Sequence, residues 1–118
     1  MEIAEFISVE DDEPDLILSF ALRDDDSGVK SLTLLRTPLY EGILPPEERG
    51  VHVSMEGGCK DDGNMLEEIH IDSNRVRIHA SHERYEVDIS AVEKSECDEM
   101  MKIVKQLNFD SCFRVVLT

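Results

Sequence analysis

Three of the four histidines in this chain lie in one short stretch, IHIDSNRVRIHASH, which spans residues 69 to 82. Imidazole nitrogens are common zinc ligands, and nearby carboxylates can complete such a site. This stretch is therefore the first place to look for metal chemistry. Whether His70 and His79 can act together depends on the backbone that holds them.

The backbone of this stretch is predicted to be a hairpin. Apolar residues occupy every second position on either side of Ser73-Asn74, which is typical of two strands joined by a tight turn. These apolar residues are Ile69, Ile71, Val76 and Ile78. With that turn, the polar face carries the cross-strand pairs Asp72 with Arg75, His70 with Arg77, and Glu68 with His79. The residue types are then explained by a ladder of opposite charges.

A zinc site on the same hairpin is geometrically possible, since His70 and His79 become diagonal neighbours. Either of the other two histidines could supply a third nitrogen. However, Arg75 and Arg77 would repel a dication, and the sequence contains no HExxH motif and no paired CxxC motifs. The charge ladder is therefore favoured and no metal ligand is predicted, while a small metal-dependent enzyme built on this hairpin stays as the alternative.

Other catalytic motifs are missing from the sequence. DDDSG resembles the start of a calcium loop, but an EF-hand beginning at Asp24 needs glutamate where Leu35 stands, and Gly28 comes one position early. There is no G-x-S-x-G elbow, P-loop or glycine-rich dinucleotide motif. The sequence thus predicts no catalytic residue and no cofactor, and a binding protein is favoured over an enzyme.

Length and charge narrow the class of partner. The 118 residues predict a single domain, 1–118, and 27 acidic residues against 12 Lys and Arg give a formal net charge of −15. This charge disfavours nucleic acid and anionic membranes as ligands, and it favours a basic protein partner. Solubility alone would also explain an acidic composition, so an acidic regulatory binding domain stays as a further alternative.

The expected compartment is the cytoplasm. Cys59, Cys97 and Cys112 are odd in number and widely spaced, which suits a reducing environment and predicts packing or loop residues. The start of the chain, MEIAEFISVEDDE, is acidic where a signal peptide is basic, and no apolar run approaches the length of a membrane span.

The pattern of elements predicts an α+β fold, with a mostly antiparallel β-sheet of six or seven strands and one C-terminal amphipathic helix packed on it. DLILSFALR and KSLTLLR form a hairpin, TPLYEGILPPEERG an irregular connection, and GVHVSME, YEVDIS and FRVVLT further strands. The helix is expected over residues 96–107, with Ser95 as its N-cap and an apolar stripe facing the sheet.

From Ser31 onward, SLTLLR is followed by an irregular stretch ending at Gly50, VHVSME, a glycine-rich acidic loop, IHIDSNRVRIHA, YEVDIS and a helix ending in KQLNF. This order resembles the immunity protein 10 family of bacterial polymorphic toxin systems, over about two-thirds of the chain. The resemblance implies an immunity protein that binds and neutralises a cognate toxin. A basic toxin, such as a nuclease, would suit the acidic composition, since clustered carboxylates imitate a phosphate track.

The acidic clusters are the predicted binding surface for that partner. Three clusters lie in predicted turns and loops, where a sequence can vary without disturbing the core. They are Asp24, Asp25 and Asp26, then Glu47 and Glu48, then Asp61 and Asp62. The first and third clusters join antiparallel strands, and we expect them at one end of the sheet.

Overall fold

The computed structural model describes residues 2–12, 15–24, 28–46, 49–56 and 64–118. Its elements, in chain order, are β1 (Glu2–Asp12), β2 (Asp15–Asp24), β3 (Gly28–Arg36), a 3₁₀ helix (Pro38–Ile43), β4 (His52–Met55), β5 (Leu66–Ile71), β6 (Arg75–Ala80), β7 (Arg84–Asp88), α1 (Lys94–Leu107) and β8 (Arg114–Leu117). The fold is thus mostly β-sheet with one α-helix among the described residues.

The eight strands form one sheet in the order β4-β3-β2-β1-β7-β6-β5-β8. Strands that follow one another as hairpins are antiparallel, as predicted, but β1 pairs with β7 in parallel and β8 pairs with β5 in parallel. The sheet is therefore mixed, which corrects part of the expectation of an antiparallel sheet. The parallel pairs arise where strands far apart in sequence meet, and alternation within each strand carries no information about such pairings.

The sheet curves so that β4, at one end of it, also contacts the start of β5, the second strand from the other end. A single bridge joins His52 to Met65, flanked by hydrogen bonds from Val53 N to Asn64 O and from Leu66 N to Val51 O, each 2.8 Å. The buried Asn64 side chain accepts a hydrogen bond from His82 N at 2.9 Å. The start of β4 therefore lies against the start of β5, and the curved sheet surrounds the core.

The helix α1 packs against β1 and β2, and Met100, Ile103, Val104 and Leu107 are its buried residues. They belong to one hydrophobic core cluster together with buried residues of the strands. This confirms the predicted apolar stripe as core packing. No helix in the described ranges combines the length and apolar content needed to cross a membrane.

The helix starts two residues earlier than predicted and ends at Leu107, as predicted. It begins at Lys94, with Glu93 at the N-cap and no side-chain capping bond, so Ser95 is not the cap. The nearby Glu96 accepts a hydrogen bond from Ile7 N at 2.7 Å and so connects the helix to β1. At the other end the chain continues into β8, so α1 is not the last element, although FRVVLT does contain the expected final strand.

Candidate functional site

The histidine-bearing hairpin has the register predicted from its sequence. Glu68 pairs with His79 and His70 with Arg77, while Ile69 and Ile78 form a pair that is fully buried below them. The turn is closed by a hydrogen bond from Asp72 N to Arg75 O at 2.9 Å. The polar face therefore rests on core residues of β5 and β6.

A cluster of Glu68, His70 and His79, with Arg114 beside it, lies on this face, and we call it the histidine cluster. Nε2 of His70 is 2.6 Å and Nδ1 of His79 is 3.4 Å from the same carboxylate oxygen, Oε2 of Glu68. The other oxygen, Oε1, accepts a hydrogen bond from Nε of Arg114 on β8. The hydrogen bonds from His70 and Arg114 lower the pKa of Glu68 below its usual value. Both imidazole side chains remain about one-third exposed.

The arginines expected to repel a metal point mainly towards another acid. Nη1 of Arg75 and Nε of Arg77 lie 3.7 and 3.4 Å from the carboxylate of Glu86 on β7. An open cleft of about 610 Å³ is lined by Glu68 and His79 and continues to His82. The histidine cluster is therefore accessible to solvent and to small ligands.

A second polar cluster surrounds Arg36 at the end of β3, and it is buried. Arg36 is only 1% exposed. Its guanidinium makes bidentate pairs with Glu41 (2.8 and 2.9 Å) and with Asp110 (2.9 and 2.9 Å), and it donates to the carbonyl of Leu107 at 2.7 Å. All five N–H donors of the guanidinium therefore have an oxygen acceptor.

The charge pairs around Arg36 shift the pKa values of all three groups. Burial alone would lower the pKa of Arg36, but the hydrogen bonds to Asp110 and Glu41 outweigh burial and raise it. The same hydrogen bonds lower the pKa of Glu41 and bring the pKa of Asp110 down to about 2. Glu41 also accepts from Gly50 N at 3.0 Å, where φ is 127°, a conformation that favours glycine. The cluster is thus a charged joint between β3, the 3₁₀ helix and the end of α1.

Four large apolar side chains project from the segments that this joint fixes, and we call them the apolar corner. Phe109 stacks on the guanidinium of Arg36, with 4.2 Å between its ring centroid and Cζ. The other three lie on the 3₁₀ helix beside Glu41. The exposed fractions are 64% for Leu39, 50% for Tyr40, 84% for Ile43 and 59% for Phe109. Three of these side chains share one short helix and the fourth stacks on the arginine that pairs with that helix, so they are a candidate contact surface.

Of the two described cysteines, Cys97 is a packing residue and Cys112 is an exposed loop residue. Cys97 packs against the core from α1, and Sγ of Cys112 lies 3.1 Å from the Arg36 guanidinium. Burial raises the pKa of both thiols, so neither is an activated nucleophile. Cys59 lies outside the described residues.

Of the acidic residues predicted to bind a partner, the structure describes Asp24 alone. It ends β2, opposite Gly28 in the register, and is partly buried. Glu56, which precedes the third cluster, accepts a hydrogen bond from Ser31 N on β3 at 3.0 Å. The strands leading to the first and third clusters thus approach each other. The remaining predicted residues, Asp25, Asp26, Glu47, Glu48, Asp61 and Asp62, lie outside the described ranges.

Sequence reasoning missed the Arg36 cluster, although a signal was present. Arg36 is in phase with Leu32 and Leu34, which are buried on one face of β3. An arginine that continues an apolar alternation must bring acceptors into the core, and here they come from Glu41 and Asp110.

Compared with protein-family models, with curated proteins and with solved structures, the chain has no match in any of the three. What can be inferred about function therefore comes from the geometry of the apolar corner and of the histidine cluster.

Proposed function

We propose that this protein is a binding module for a basic protein partner, and that the partner is a cognate bacterial toxin which it neutralises in the cytoplasm. The apolar corner is the observation that carries the binding role. Its four exposed apolar side chains are held by the Arg36 joint in a chain of net charge −15. The toxin as partner follows from the resemblance to immunity proteins.

The composition of the apolar corner suits a protein interface. Interface centres are rich in aromatic and aliphatic anchors, and a few such anchors carry most of the binding energy. Tyr40 and Phe109 are anchors of this kind, and each is followed in sequence by an acid that pairs with Arg36, namely Glu41 and Asp110. Because the Arg36 joint fixes both segments before binding, little conformational entropy is lost when a partner docks.

The overall charge adds speed and selectivity to this contact. A strongly acidic surface accelerates the approach of a basic protein and repels nucleic acid and anionic lipid. The acidic clusters at residues 24–26, 47–48 and 61–62 would contribute to this steering, while the apolar corner would slow dissociation. An acidic regulatory domain would show the same charge but would not neutralise a toxin.

The test uses the product of the neighbouring gene, which we expect to be the toxin, purified as a catalytically inactive variant. We expect 1:1 binding, with Tyr40→Ala and Ile43→Ala each weakening the affinity about tenfold or more through faster dissociation. The matched control is Phe6→Ala, because Phe6 is an aromatic residue of similar exposure (49%) on β1.

Three results would decide against this function. A neighbouring toxin that neither binds the protein nor loses toxicity on co-expression would exclude neutralisation. An equal loss of affinity in Phe6→Ala and Tyr40→Ala would exclude the apolar corner as the contact. A rate of association that does not fall with added salt would exclude electrostatic steering.

A further inference from the structure

We propose that Glu68, His70 and His79 form a binding site for one zinc ion. The proposal goes beyond partner binding, because the apolar corner involves none of these residues. It rests on the arrangement of two imidazole nitrogens and one carboxylate oxygen on adjacent strands.

The donor atoms are already close to the spacing that zinc requires. Oε2 of Glu68 lies 2.6 Å from Nε2 of His70 and 3.4 Å from Nδ1 of His79, and the three donor atoms all lie within 4.8 Å of one another. Zinc–nitrogen and zinc–oxygen bonds of ~2.0–2.2 Å in a tetrahedron place neighbouring donors roughly 3.3–3.6 Å apart. Small rotations of the two partly exposed histidine side chains therefore bring all three donors into place.

The scaffold below the donors is rigid. Glu68 and His79 face each other across β5 and β6, while the buried Ile69 and Ile78 fix the register beneath them. The imidazole rings of His70 and His79 lie 5.3 Å apart between centroids. A site built on paired strands keeps its geometry better than one built on a loop, so little ordering is needed when the ion binds.

Arg114 orients the carboxylate without occupying its donor atom. It donates to Oε1 of Glu68, whereas Oε2 is the oxygen that faces both histidines. Hydrogen bonding to the outer oxygen of a metal-binding carboxylate is a common way to position the ligand. The guanidinium also places a positive charge near the ion, so it weakens binding while it sharpens the geometry.

The remaining charges allow a dication at this position. Arg75 and Arg77 were the residues expected from the sequence to repel a metal ion. Their guanidiniums are directed at Glu86. The chain as a whole carries a formal charge of −15, so its long-range field attracts cations. The local repulsion comes from Arg114, whose side chain is exposed enough to move, and from Arg84, which faces His79 across β6 and β7 and lines the same cleft.

The ligand set suits a transition-metal ion such as zinc better than calcium or magnesium. Calcium and magnesium prefer shells of oxygen atoms, whereas two imidazoles with one carboxylate suit zinc. Three protein ligands leave the fourth tetrahedral position open, and Glu68 and His79 both line the adjacent cleft. A water molecule or a donor group from another molecule could fill that position.

The test is calorimetric titration of the metal-free full-length protein with zinc chloride. We expect one site of micromolar or tighter affinity, weakened about tenfold or more by His70→Ala and by His79→Ala. His82→Ala is the matched control, because His82 lines the same cleft but is outside the ligand set, and it should bind zinc as the unmodified protein does.

Two further measurements separate a built site from loose surface binding. Cobalt in place of zinc should give the intense visible absorption of tetrahedral coordination, and Glu68→Gln should abolish it while circular dichroism shows an intact fold. Arg114→Gln should bind zinc more tightly, because it removes the nearby positive charge. Titration without heat, or zinc affinity that is the same in both histidine variants and the unmodified protein, would overturn the proposal.

Discussion

The Arg36 cluster and the histidine cluster contain similar charged and polar groups, but they differ in burial and in how completely their hydrogen-bonding atoms are paired. Each contains an arginine that donates hydrogen bonds to carboxylate oxygens. Around Arg36 every guanidinium donor has an acceptor, and the arginine is buried. Around Glu68 the imidazoles are partly exposed, and two of their nitrogens converge on one oxygen.

This difference separates a structural role from a binding role. Removing the buried guanidinium would leave the carboxylates of Glu41, which is mostly buried, and of the half-exposed Asp110 without the cation that compensates them, so this cluster cannot be rearranged at little cost. Partly exposed side chains whose nitrogen and oxygen atoms converge on one point can give up a proton or their hydrogen bonds to one another. They can then bind a ligand at little cost in free energy. Burial and saturation, rather than residue type, therefore distinguish the two clusters.

The largest expected effect comes from removing the buried cation. Arg36→Met leaves Glu41 and Asp110 facing each other in a partly buried joint, and we expect it to lower the free energy of unfolding by ~3–5 kcal/mol. Urea unfolding followed by circular dichroism measures this change. The matched variant Arg114→Met, at the exposed arginine of the histidine cluster, should change stability far less. Equal losses in the two variants would contradict the comparison.

An intermediate effect is expected from acid. The pKa of Glu41 is lowered from 4.5 and that of Asp110 from 3.8 to about 2. Because folding depresses both values, their contribution to stability is fully present above about pH 4.5 and is lost as the pH falls towards about 2. Asp110→Asn should therefore be less stable at neutral pH but lose less stability on acidification.

The cause of this acid sensitivity can be isolated with a double variant. In an Arg36→Met background the guanidinium that depresses both pKa values is gone. Asp110→Asn should then leave the pH dependence of the urea midpoint nearly unchanged. A persistent effect of Asp110→Asn in that background would show that another group sets the acid sensitivity.

The smallest effect is expected in the histidine cluster itself. Without metal, His79→Ala should change the free energy of unfolding only slightly, because the side chain is partly exposed and its partner Glu68 keeps the bond from Arg114. With the same zinc concentration, the melting temperature of the unmodified protein should rise more than that of His79→Ala. A large loss of stability in the metal-free variant would make the cluster a structural joint like that around Arg36.

The sequence correctly predicted the structural features that depend on residues close together in the chain. The register of the β5–β6 hairpin followed from alternation around Ser73-Asn74, and the β2–β3 hairpin and the apolar stripe of α1 were also confirmed. These features depend on side-chain period and turn chemistry, which a short window contains.

The features that escaped prediction join distant parts of the chain. Examples are the parallel pairs of β1 with β7 and of β5 with β8, and the contact of Arg36 with Asp110. The residues involved are so far apart in sequence that no repeating pattern of residue types predicts their contact. The prediction against a zinc site depended on the direction of two side chains. Arg75 and Arg77 lie near the histidines in sequence, but their guanidiniums point towards Glu86. Strand register alone does not fix where a long side chain ends.

The position of the Arg36 partners along the chain also has a consequence during translation. The strand with Arg36 leaves the ribosome well before Leu107 and Asp110, which together accept three of its hydrogen bonds. Until those residues emerge, burying the guanidinium leaves donors without acceptors, which opposes closure of the nascent domain. Interrupted translation products should thus stay open to proteolysis, so the chains that persist are those synthesised beyond residue 110.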